Sequence, residues 1–513
     1  MTRLGTSARH LLAGASFAAL FVAPCAHAAD PALIARGKYL AIAGDCIACH
    51  QAPGGKAFAG GLYMNTPFGE MATPNLTPDK ETGIGNWTDD QFYRALHLGI
   101  RNDGAYLYPG LPYPWFTKVT KDDVLAIKAY LFSLPPVHAP QKPNHLIFPT
   151  NIRLAVAGWN ALNFKPGEYK PDASQSAQWN RGAYLVEGLG HCADCHTPKN
   201  ISQAPVADEA FAGGKLDNWY APNITSDKKE GIGTWSVKTI ATYLKTGQAP
   251  GRGVVFGSMA QTVHDSLSKM TDADILAMAT YIKTIPPKAT YKEAKLTVAS
   301  ASPDGQTVYL NNCSSCHQTN GNGLGNAIPP LSGNGAVAAQ GPQNVIRAVL
   351  GGLPAQGTYG PMPGFATLLT PQQIADVANY VRTTWANAAP ATATADMVTQ
   401  IAPDTKTEMA GDLPHWCTKP GTTPLDKAIE SPAIESRLHA INPVNMLPDV
   451  NAIVASVKKA APQAAQADIV NSLTAAYCPV VEADNSIPKA RKPTALDQFS
   501  VLAYTQLTNN EKD

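Results

Sequence analysis

The pattern Cys-x-x-Cys-His occurs three times in the chain, and it limits what the chain can fold into more than any other feature. The copies lie at residues 46–50, 192–196 and 313–317. One helical turn of this spacing presents both sulfurs to one edge of a porphyrin, and the histidine that follows can ligate the iron. The pattern therefore predicts three covalently bound haem c groups. The attachment residues are Cys46, Cys49, Cys192, Cys195, Cys313 and Cys316, and the proximal iron ligands are His50, His196 and His317.

Zinc binding and dithiol chemistry are the alternatives for these motifs. Zinc would need a convincing fourth ligand near each motif, and the sequence offers none. A thioredoxin-like dithiol would need a βαβ context, which the surrounding pattern lacks. Haem attachment is therefore the interpretation that fits all three copies.

The first 28 residues have the layout of a secretory signal peptide. Arg3 and Arg9 precede an apolar run at 11–23, and an Ala-His-Ala cleavage site follows at 26–28. Export fits covalent haem attachment, which follows translocation. The alternatives are an uncleaved anchor and a lipidated Cys25. No later stretch approaches ~18 uninterrupted apolar residues, so we do not expect the mature chain to span a membrane.

Charge and motif content exclude several function classes. The chain has 513 residues, with 40 Lys+Arg against 39 Asp+Glu. This balance leaves no basic footprint for nucleic acid. A Rossmann glycine fingerprint, a P-loop and a hydrolytic triad motif are all missing from the sequence, so we assign no catalytic residues. One-electron relay through the haems is the chemistry that remains.

Each haem motif lies in a repeat, and the first two repeats share three further boxes in the same order. Phe-Ala-Gly-Gly, Pro-Asn-x-Thr and Gly-Ile-Gly-x-Trp begin at 58, 74 and 83 in the first repeat and at 211, 222 and 231 in the second. The third repeat is shorter and lacks them. A closing helix with a threonine N-cap is predicted at 120–134, 271–285 and 370–385. Opening and closing helices around a haem indicate the all-α cytochrome c arrangement.

The sequence therefore predicts a mainly α chain of three tandem cytochrome c-type haem domains and a small helical C-terminal domain. Cys417 and Cys478 are left over from haem attachment, and in an exported domain they most simply form a disulfide; ligation of the first haem iron by a cysteine is the alternative. The predicted boundaries are 1–28 for the signal peptide, 29–140 for domain 1, 141–180 for a strap, 181–290 for domain 2, 291–302 for a linker, 303–387 for domain 3, 388–410 for an Ala/Thr/Pro linker and 411–513 for the helical domain.

A distal methionine would complete each iron site as a closed, high-potential centre. Met259 and Met362 lie between the haem motif and the closing helix of repeats two and three, so we predict them as distal ligands, with buried packing as the alternative. In the first repeat the corresponding place holds Leu111, which cannot ligate iron. Met71 is the first candidate there. Met64, His97 and an open five-coordinate iron are the alternatives.

These features together resemble the tri-haem cytochrome c subunit of bacterial periplasmic membrane-associated dehydrogenases. The resemblance covers roughly residues 30–390 and also rests on the segments at 108–114, 257–259 and 362–365. It implies a separate catalytic subunit of flavin, pyrroloquinoline quinone or molybdopterin type, which oxidises an alcohol, an aldehyde or a sugar. The chain would pass the electrons to ubiquinone or another respiratory acceptor, while attached peripherally to the periplasmic face of the inner membrane. In such subunits the distal methionine of the first haem falls where this chain has Leu111.

Two other functions stay open at this point. An open first haem could act as an oxidase, a peroxidase or a small-anion dehydrogenase, and Leu111 motivates that reading. A free periplasmic carrier without a fixed partner is the third possibility. The apolar stretch 147–164 within the strap could contact a partner or the membrane surface. The plainer expectation is that the stretch packs between haem domains.

Overall fold

The computed structural model describes residues 30–216, 219–289, 303–323, 328–354, 356, 359–412, 424–442, 446–464, 466–487 and 492–509. The predicted signal peptide, the linker 291–302 and Cys417 lie outside these residues, so the signal peptide and the disulfide stay predictions. No helix in the described part of the chain is long and apolar enough to cross a membrane.

The fold is mainly α, as predicted, with a few short antiparallel strands. The first repeat and the strap contain α1 (Pro31–Ala43), α2 (Cys46–His50), β1 (Tyr63–Thr66), β2 (Gly69–Ala72), α3 (Asp89–Leu98), α4 (Tyr113–Phe116), α5 (Lys121–Phe132), β3 (His145–Leu146) and α6 (Leu154–Asn163). The second repeat contains α7 (Ala177–Tyr184), a π-helical turn (Leu185–Leu189), α8 (Cys192–Cys195), a 3-10 turn (Ala207–Glu209), β4 (Gly214–Leu216), β5 (Trp219–Ala221), α9 (Val237–Thr246), β6 (Gln248–Ala249), β7 (Gly253–Val254), α10 (Ser258–Asp265), a 3-10 turn (Leu267–Lys269) and α11 (Asp272–Thr284).

From residue 303 onward, the regular elements among the described residues are helices. The third repeat contains α12 (Pro303–Asn312), α13 (Ser314–His317), α14 (Gln343–Gly351) and α15 (Pro371–Thr383), and then come α16 (Ala395–Asp412), α17 (Pro424–Ile429), α18 (Pro432–Ala440), α19 (Leu447–Ala460), α20 (Gln466–Ala483) and α21 (Lys492–Asn509). The strands pair antiparallel in the orders β1–β2–β3, β4–β5 and β6–β7.

A glycine lets the opening helix cross the closing helix closely in every repeat. A Cβ added to Gly37 would lie 1.8 Å from the Ala126 carbonyl oxygen of α5. At Gly182 the same atom would lie 2.0 Å from the Ala277 carbonyl of α11, and at Gly305 it would lie 2.4 Å from a carbonyl of α15. Any side chain at these positions would push the two helices apart, which gives the recurring glycine a packing reason.

The three predicted threonine caps are confirmed. The side chains of Thr120, Thr271 and Thr370 each accept a hydrogen bond from the backbone N–H three residues later, at the start of α5, α11 and α15. Each cap satisfies a backbone donor that the first helical turn would otherwise leave without a partner. The closing helices therefore begin where the sequence places them.

Repeats one and two share one hydrophobic core and exchange tyrosines across their interface. Arg36 and Asp123 pair within repeat one, and the hydroxyl of Tyr184 from repeat two donates to the same carboxylate at 2.6 Å. The mirror arrangement joins Arg181 and Asp274 in repeat two, where the Tyr39 hydroxyl donates at 2.7 Å. This reciprocity is an approximate two-fold relation between the two repeats. It fixes how the two haem motifs face each other.

The segment predicted as an Ala/Thr/Pro linker is partly helical. Helix α16 begins at Ala395 and packs against α14 and α15 of the third repeat. Val398 and Ile401 are 1 % and 5 % exposed, because they form an apolar face that joins the core of that repeat. The linker composition concealed this short periodic pattern.

The C-terminal helices α17–α21 form a separate hydrophobic core. Helices α17 and α18 are separate, because Pro432 begins a new helix after the Ser431 cap position. Cys478 is buried in this core. Val470 and Tyr504 also line the pocket beside the haem motif of the third repeat. The C-terminal domain therefore lies against the third haem site.

Candidate haem sites

The haem motifs form short helical turns that place cysteine and histidine side by side. Helix α2 carries the first motif, α8 carries the cysteines of the second, and α13 carries Cys316 and His317 of the third. Asp45 and His191, the residues before the first two motifs, adopt left-handed backbone conformations with φ of 49° and 36°. This sharp turn aims the following cysteine pair away from the opening helix. All six haem-motif cysteines are free of disulfides.

Each motif histidine is oriented by a proline carbonyl. The Nδ1 atoms of His50, His196 and His317 lie 2.9, 2.7 and 3.2 Å from the carbonyl oxygens of residues 74, 222 and 329, all prolines. A carbonyl can only accept, so Nδ1 must carry the proton and Nε2 keeps its lone pair for a metal. Burial lowers the pKa of all three rings, that of His317 to about 4, which keeps the rings neutral as iron ligands require.

The shared boxes of repeats one and two build the loop that supplies this carbonyl. In the Phe-Ala-Gly-Gly box, the N–H of Gly60 donates to the His50 carbonyl, and that of Gly213 donates to the His196 carbonyl. In the Pro-Asn-x-Thr box, Asn75 donates to the Val137 carbonyl at 2.7 Å, beyond the closing helix. The boxes therefore clamp the proline against the histidine.

Met259 and Met362 each share a pocket with a haem motif. In the second repeat, Cys192, Cys195, His196 and Met259 line one cavity of about 1030 Å³. Met270, the other methionine between this haem motif and the closing helix, is 2 % exposed and packs in the core. In the third repeat, the lining comprises Cys313, Cys316, His317 and Met362. The structure thus brings both predicted methionines to the expected sites, while iron ligation stays a prediction.

Met71 lies against the segment that departs from the expected pattern in the first repeat. It is 6 % exposed on β2, and its Cε would lie 2.1 Å from a Cβ added to Gly110. Leu111, the next residue, packs against the shared core. The alternative His97 has its ring stacked on Tyr93 and its Nδ1 3.4 Å from the Thr117 hydroxyl. Met64 lies opposite Met71 in the β1–β2 register and is more exposed.

The second haem cavity has walls from all three repeats. Ala43 and Asp45, which precede the first haem motif, line one side. Asn334 and Asn387 of the third repeat line another. The pocket of the third repeat in turn includes Phe256 of the second. The second site is therefore the neighbour of both others.

Burial raises the pKa of Asp45 to about 7, and Asp265 beside it acts in the same direction. The carboxyl also faces Thr262 and Lys269 of repeat two. Asp45 precedes the first haem motif and lines the second haem cavity. With this pKa, its carboxyl changes charge near neutral pH.

Sequence reasoning missed two kinds of residue that shape these sites. Pro74 and Pro222 belonged to a recognised box, but their carbonyl role depends on a fold that brings them back to the histidine. Arg382 was not singled out at all. It is fully buried on α15, and its guanidinium donates to the carbonyls of Val337 and Ala339. These bonds hold the loop of the third repeat, which lacks the three sequence boxes of the first two repeats.

The residues fit haem c in chemistry and arrangement. Each site offers two free thiols and an imidazole with Nε2 available, as covalent haem attachment requires. The second and third sites also have largely apolar pockets. Among the described residues, no cluster of three or more His, Cys, Asp or Glu side chains could hold a metal ion by itself. Fold and sites together define a multi-haem c-type electron carrier.

The comparison with known families gives the same result. The family model for cytochrome c matches residues 34–135, 180–286 and 302–385, one match for each repeat. The chain belongs to the cytochrome c family and carries three covalently bound haem c groups.

Several relatives are cytochrome subunits of dehydrogenases. The chain is 37 % identical to the cytochrome c subunit of alcohol dehydrogenase (quinone) from Gluconacetobacter polyoxogenes, over 73 % of this chain and 85 % of that protein. It is 37 % identical to the fructose dehydrogenase cytochrome subunit of Gluconobacter japonicus, over 76 % and 87 %. It is also 37 % identical to the gluconate 2-dehydrogenase cytochrome c subunit of Pantoea cypripedii, over 73 % of this chain and 91 % of that protein.

Proposed function

We propose that this chain is the electron-transfer subunit of a periplasmic dehydrogenase and passes electrons from a catalytic partner to a respiratory acceptor. The observation that carries the proposal is the second haem site, which adjoins both the first and the third, in a chain whose relatives are dehydrogenase cytochrome subunits. Haem supplies the one-electron chemistry. The partner would be of flavin, pyrroloquinoline quinone or molybdopterin type, and the acceptor ubiquinone or another respiratory carrier.

The protein holds the three haem sites in a fixed spatial order. The interface between repeats one and two is closed by the reciprocal Arg–Asp–Tyr clusters, and the interface between repeats two and three by Tyr220 and Asn344. The Tyr220 N–H donates to the Asn344 amide oxygen, and the Asn344 amide donates back to the Tyr220 carbonyl, each at 2.9 Å. With the second site between its neighbours, electrons entering at one end of the chain pass through it to reach the other.

Met71 is the distal ligand that we propose for the first haem. Its support is its position against Gly110, one residue before Leu111, where the resembling subunits carry their methionine. The buried Met71 thioether lies so close to Gly110 that it leaves no room for a side chain at position 110. Met259 and Met362 complete the other two sites in the same way. Three methionine-ligated irons suit electron transfer better than oxygen or peroxide chemistry.

Catalysis at an open first haem is the second candidate, and Leu111 is the observation that favours it. Carbon monoxide binding to the reduced protein at neutral pH separates the two. Three sites that stay inert to carbon monoxide support the relay. One site that binds it quickly supports an enzyme and contradicts the role of Met71.

The proposal is tested by a mild-detergent pull-down of the tagged protein from its native host, followed by mass spectrometry. A stoichiometric dehydrogenase that reduces the haems when given its substrate is the expected result. The cofactor class of that partner would narrow the substrate. Recovery of the cytochrome alone under repeatedly gentle conditions would contradict a subunit role and favour a free carrier.

A further inference from the structure

The most exposed large hydrophobic side chains of the described residues are concentrated in one place. They belong to the strap or to a loop bonded to it, and their exposure runs from 49 to 103 %, whereas no other exceeds 47 %. We call this set the strap patch. Its members are Ile147, Phe148, Ile152, Leu154, Leu162 and Ile201. Scattered apolar residues are normal on a surface, but six of this exposure on one segment and a loop bonded to it mark an interaction site.

Helix α6 is turned with its apolar face outward. Leu154, Ala155, Gly158, Ala161 and Leu162 are all exposed, and their spacing places them on one side of the helix. The opposite side holds Val156, which is buried, together with the half-buried Trp159 and Asn160. The expectation that the strap packs between haem domains therefore describes only its inner side.

The patch is held in a defined shape by its inner side. The Trp159 indole N–H donates to the Ser202 carbonyl at 2.8 Å, which brings Ile201 beside the helix. The Tyr113 hydroxyl donates to the Asn160 amide oxygen at 2.5 Å, and the Ile147 N–H donates to the Phe68 carbonyl at 2.9 Å. The bonds from Tyr113 and to Phe68 anchor the strap to the first repeat, and the bond to Ser202 anchors it to the second.

The charges around the strap patch favour a lipid surface over a protein as its binding partner. Between residues 141 and 167 the only charged side chains at neutral pH are Lys142, Arg153 and Lys165, all positive. Arg153 is turned inward, where its guanidinium donates to the Tyr106 carbonyl and lies over the Tyr108 ring, so Lys142 and Lys165 are the exposed cations. Of the nearby acids, Glu168 accepts from the Tyr93 hydroxyl, and the Glu70 carboxylate lies 3.0 Å from the His145 Nδ1 atom of the strap. An aliphatic helix face with a basic border is complementary to an anionic lipid surface. A protein interface of comparable size would be expected to carry more aromatic and Arg anchors at its centre.

We infer that the strap patch rests in the headgroup–acyl boundary of an anionic bilayer, with the first repeat nearest the membrane. The inference rests on the proposed function and specifies how such a carrier meets a membrane without a spanning helix. The apolar side chains enter the boundary, and the exposed Lys142 and Lys165 face the phosphates.

The test is co-sedimentation of the mature haem-loaded protein with vesicles of equal parts phosphatidylethanolamine and phosphatidylglycerol. Leu154→Glu and Leu162→Glu should each lower the vesicle partition coefficient about tenfold or more, because burying one leucine accounts for at least that factor. Lys165→Gln should lower it about fivefold, with the effect lost in high salt. Leu276→Glu, at a leucine 42 % exposed on α11, is the matched control and should bind as the wild type does.

Unchanged binding of the Leu154→Glu and Leu162→Glu variants would overturn the inference, as would a wild type that ignores anionic vesicles. Loss of dehydrogenase co-purification in these variants with normal vesicle binding would assign the patch to the protein partner instead. Haem reduction by the dehydrogenase in vesicle-free buffer is measured separately. A wild type that is reduced there but binds no vesicles refutes the membrane site alone, and failure of reduction refutes the proposed function.

Discussion

The hydroxyls of Tyr184 and Tyr39 donate nearly identical hydrogen bonds to Asp123 and Asp274, but the first bond is more deeply buried. Tyr184→Phe should therefore lower the free energy of unfolding more than Tyr39→Phe does. Both changes remove one hydroxyl and keep the ring. Tyr184 is 8 % exposed, and the Asp123 carboxylate it serves is 5 % exposed. A buried hydrogen bond to a charged group contributes about 1.5–3 kcal/mol. The Asp274 carboxylate is more accessible, and Tyr39 is partly exposed, so water replaces that bond more easily.

We therefore expect a loss of about 1.5–3 kcal/mol for Tyr184→Phe and about 0.5–1.5 kcal/mol for Tyr39→Phe. Guanidinium unfolding of the haem-loaded protein, followed by far-ultraviolet circular dichroism, gives both values from the midpoint and the slope m. Equal m-values are required for the comparison. The reasoning fails if Tyr39→Phe costs as much as Tyr184→Phe, or if neither variant shifts the midpoint.

Three further predictions concern helix packing, iron ligation and pH. Gly182→Ala should destabilise by about 1–3 kcal/mol through overpacking against the Ala277 carbonyl, measured by the same unfolding assay. Met259→Ala should lower the potential of one haem and reduce, by about one third, the near-infrared band to which all three methionine-ligated ferric haems contribute. Met270→Ala should instead cost about 2–5 kcal/mol of stability and leave that band unchanged. Burial raises the pKa of Asp274, but bonds from Arg181 and Tyr39 outweigh it and hold the pKa below its usual value. The stability from this carboxylate is therefore present above about pH 4 and is lost as the pH falls through the lowered pKa, so the wild-type midpoint should drop more steeply on acidification than that of Asp274→Asn.

The sequence predicted the local features of the haem sites because covalent attachment and helix capping depend on neighbours in the chain. The threonine caps are confirmed, and each cysteine–histidine motif lies on the short turn that its spacing favours. Features that depend on distant chain segments were not predictable in this way. The carbonyls that orient the histidines lie 12 to 26 residues away. The buried Arg382 looked like any charged residue near a helix end.

The strap shows a different limit of sequence reasoning. Its apolar composition is readable, but composition alone does not say which side of a helix meets the protein. Helix α6 has apolar residues on both sides, so the pattern lacks the polar face that would fix its orientation. The polar anchors Trp159, bonded to the Ser202 loop, and Asn160, bonded to Tyr113 of α4, show that the aliphatic side faces outward.

The reciprocal clusters also explain why the chain contains a pair of repeats and a third that joins differently. The pair requires Arg and Tyr three residues apart on the opening helix and Asp at the third position after the threonine cap. At the equivalent places the third repeat has Asp304, Thr307 and Gln373, so it lacks the guanidinium, the phenol hydroxyl and the carboxylate of this cluster. It docks through Tyr220 and Asn344 instead. The second repeat therefore has two different interfaces. The duplicated Arg–Asp–Tyr cluster joins it to the first repeat, and the Tyr220–Asn344 pair joins it to the third, which leaves its haem site in the central position.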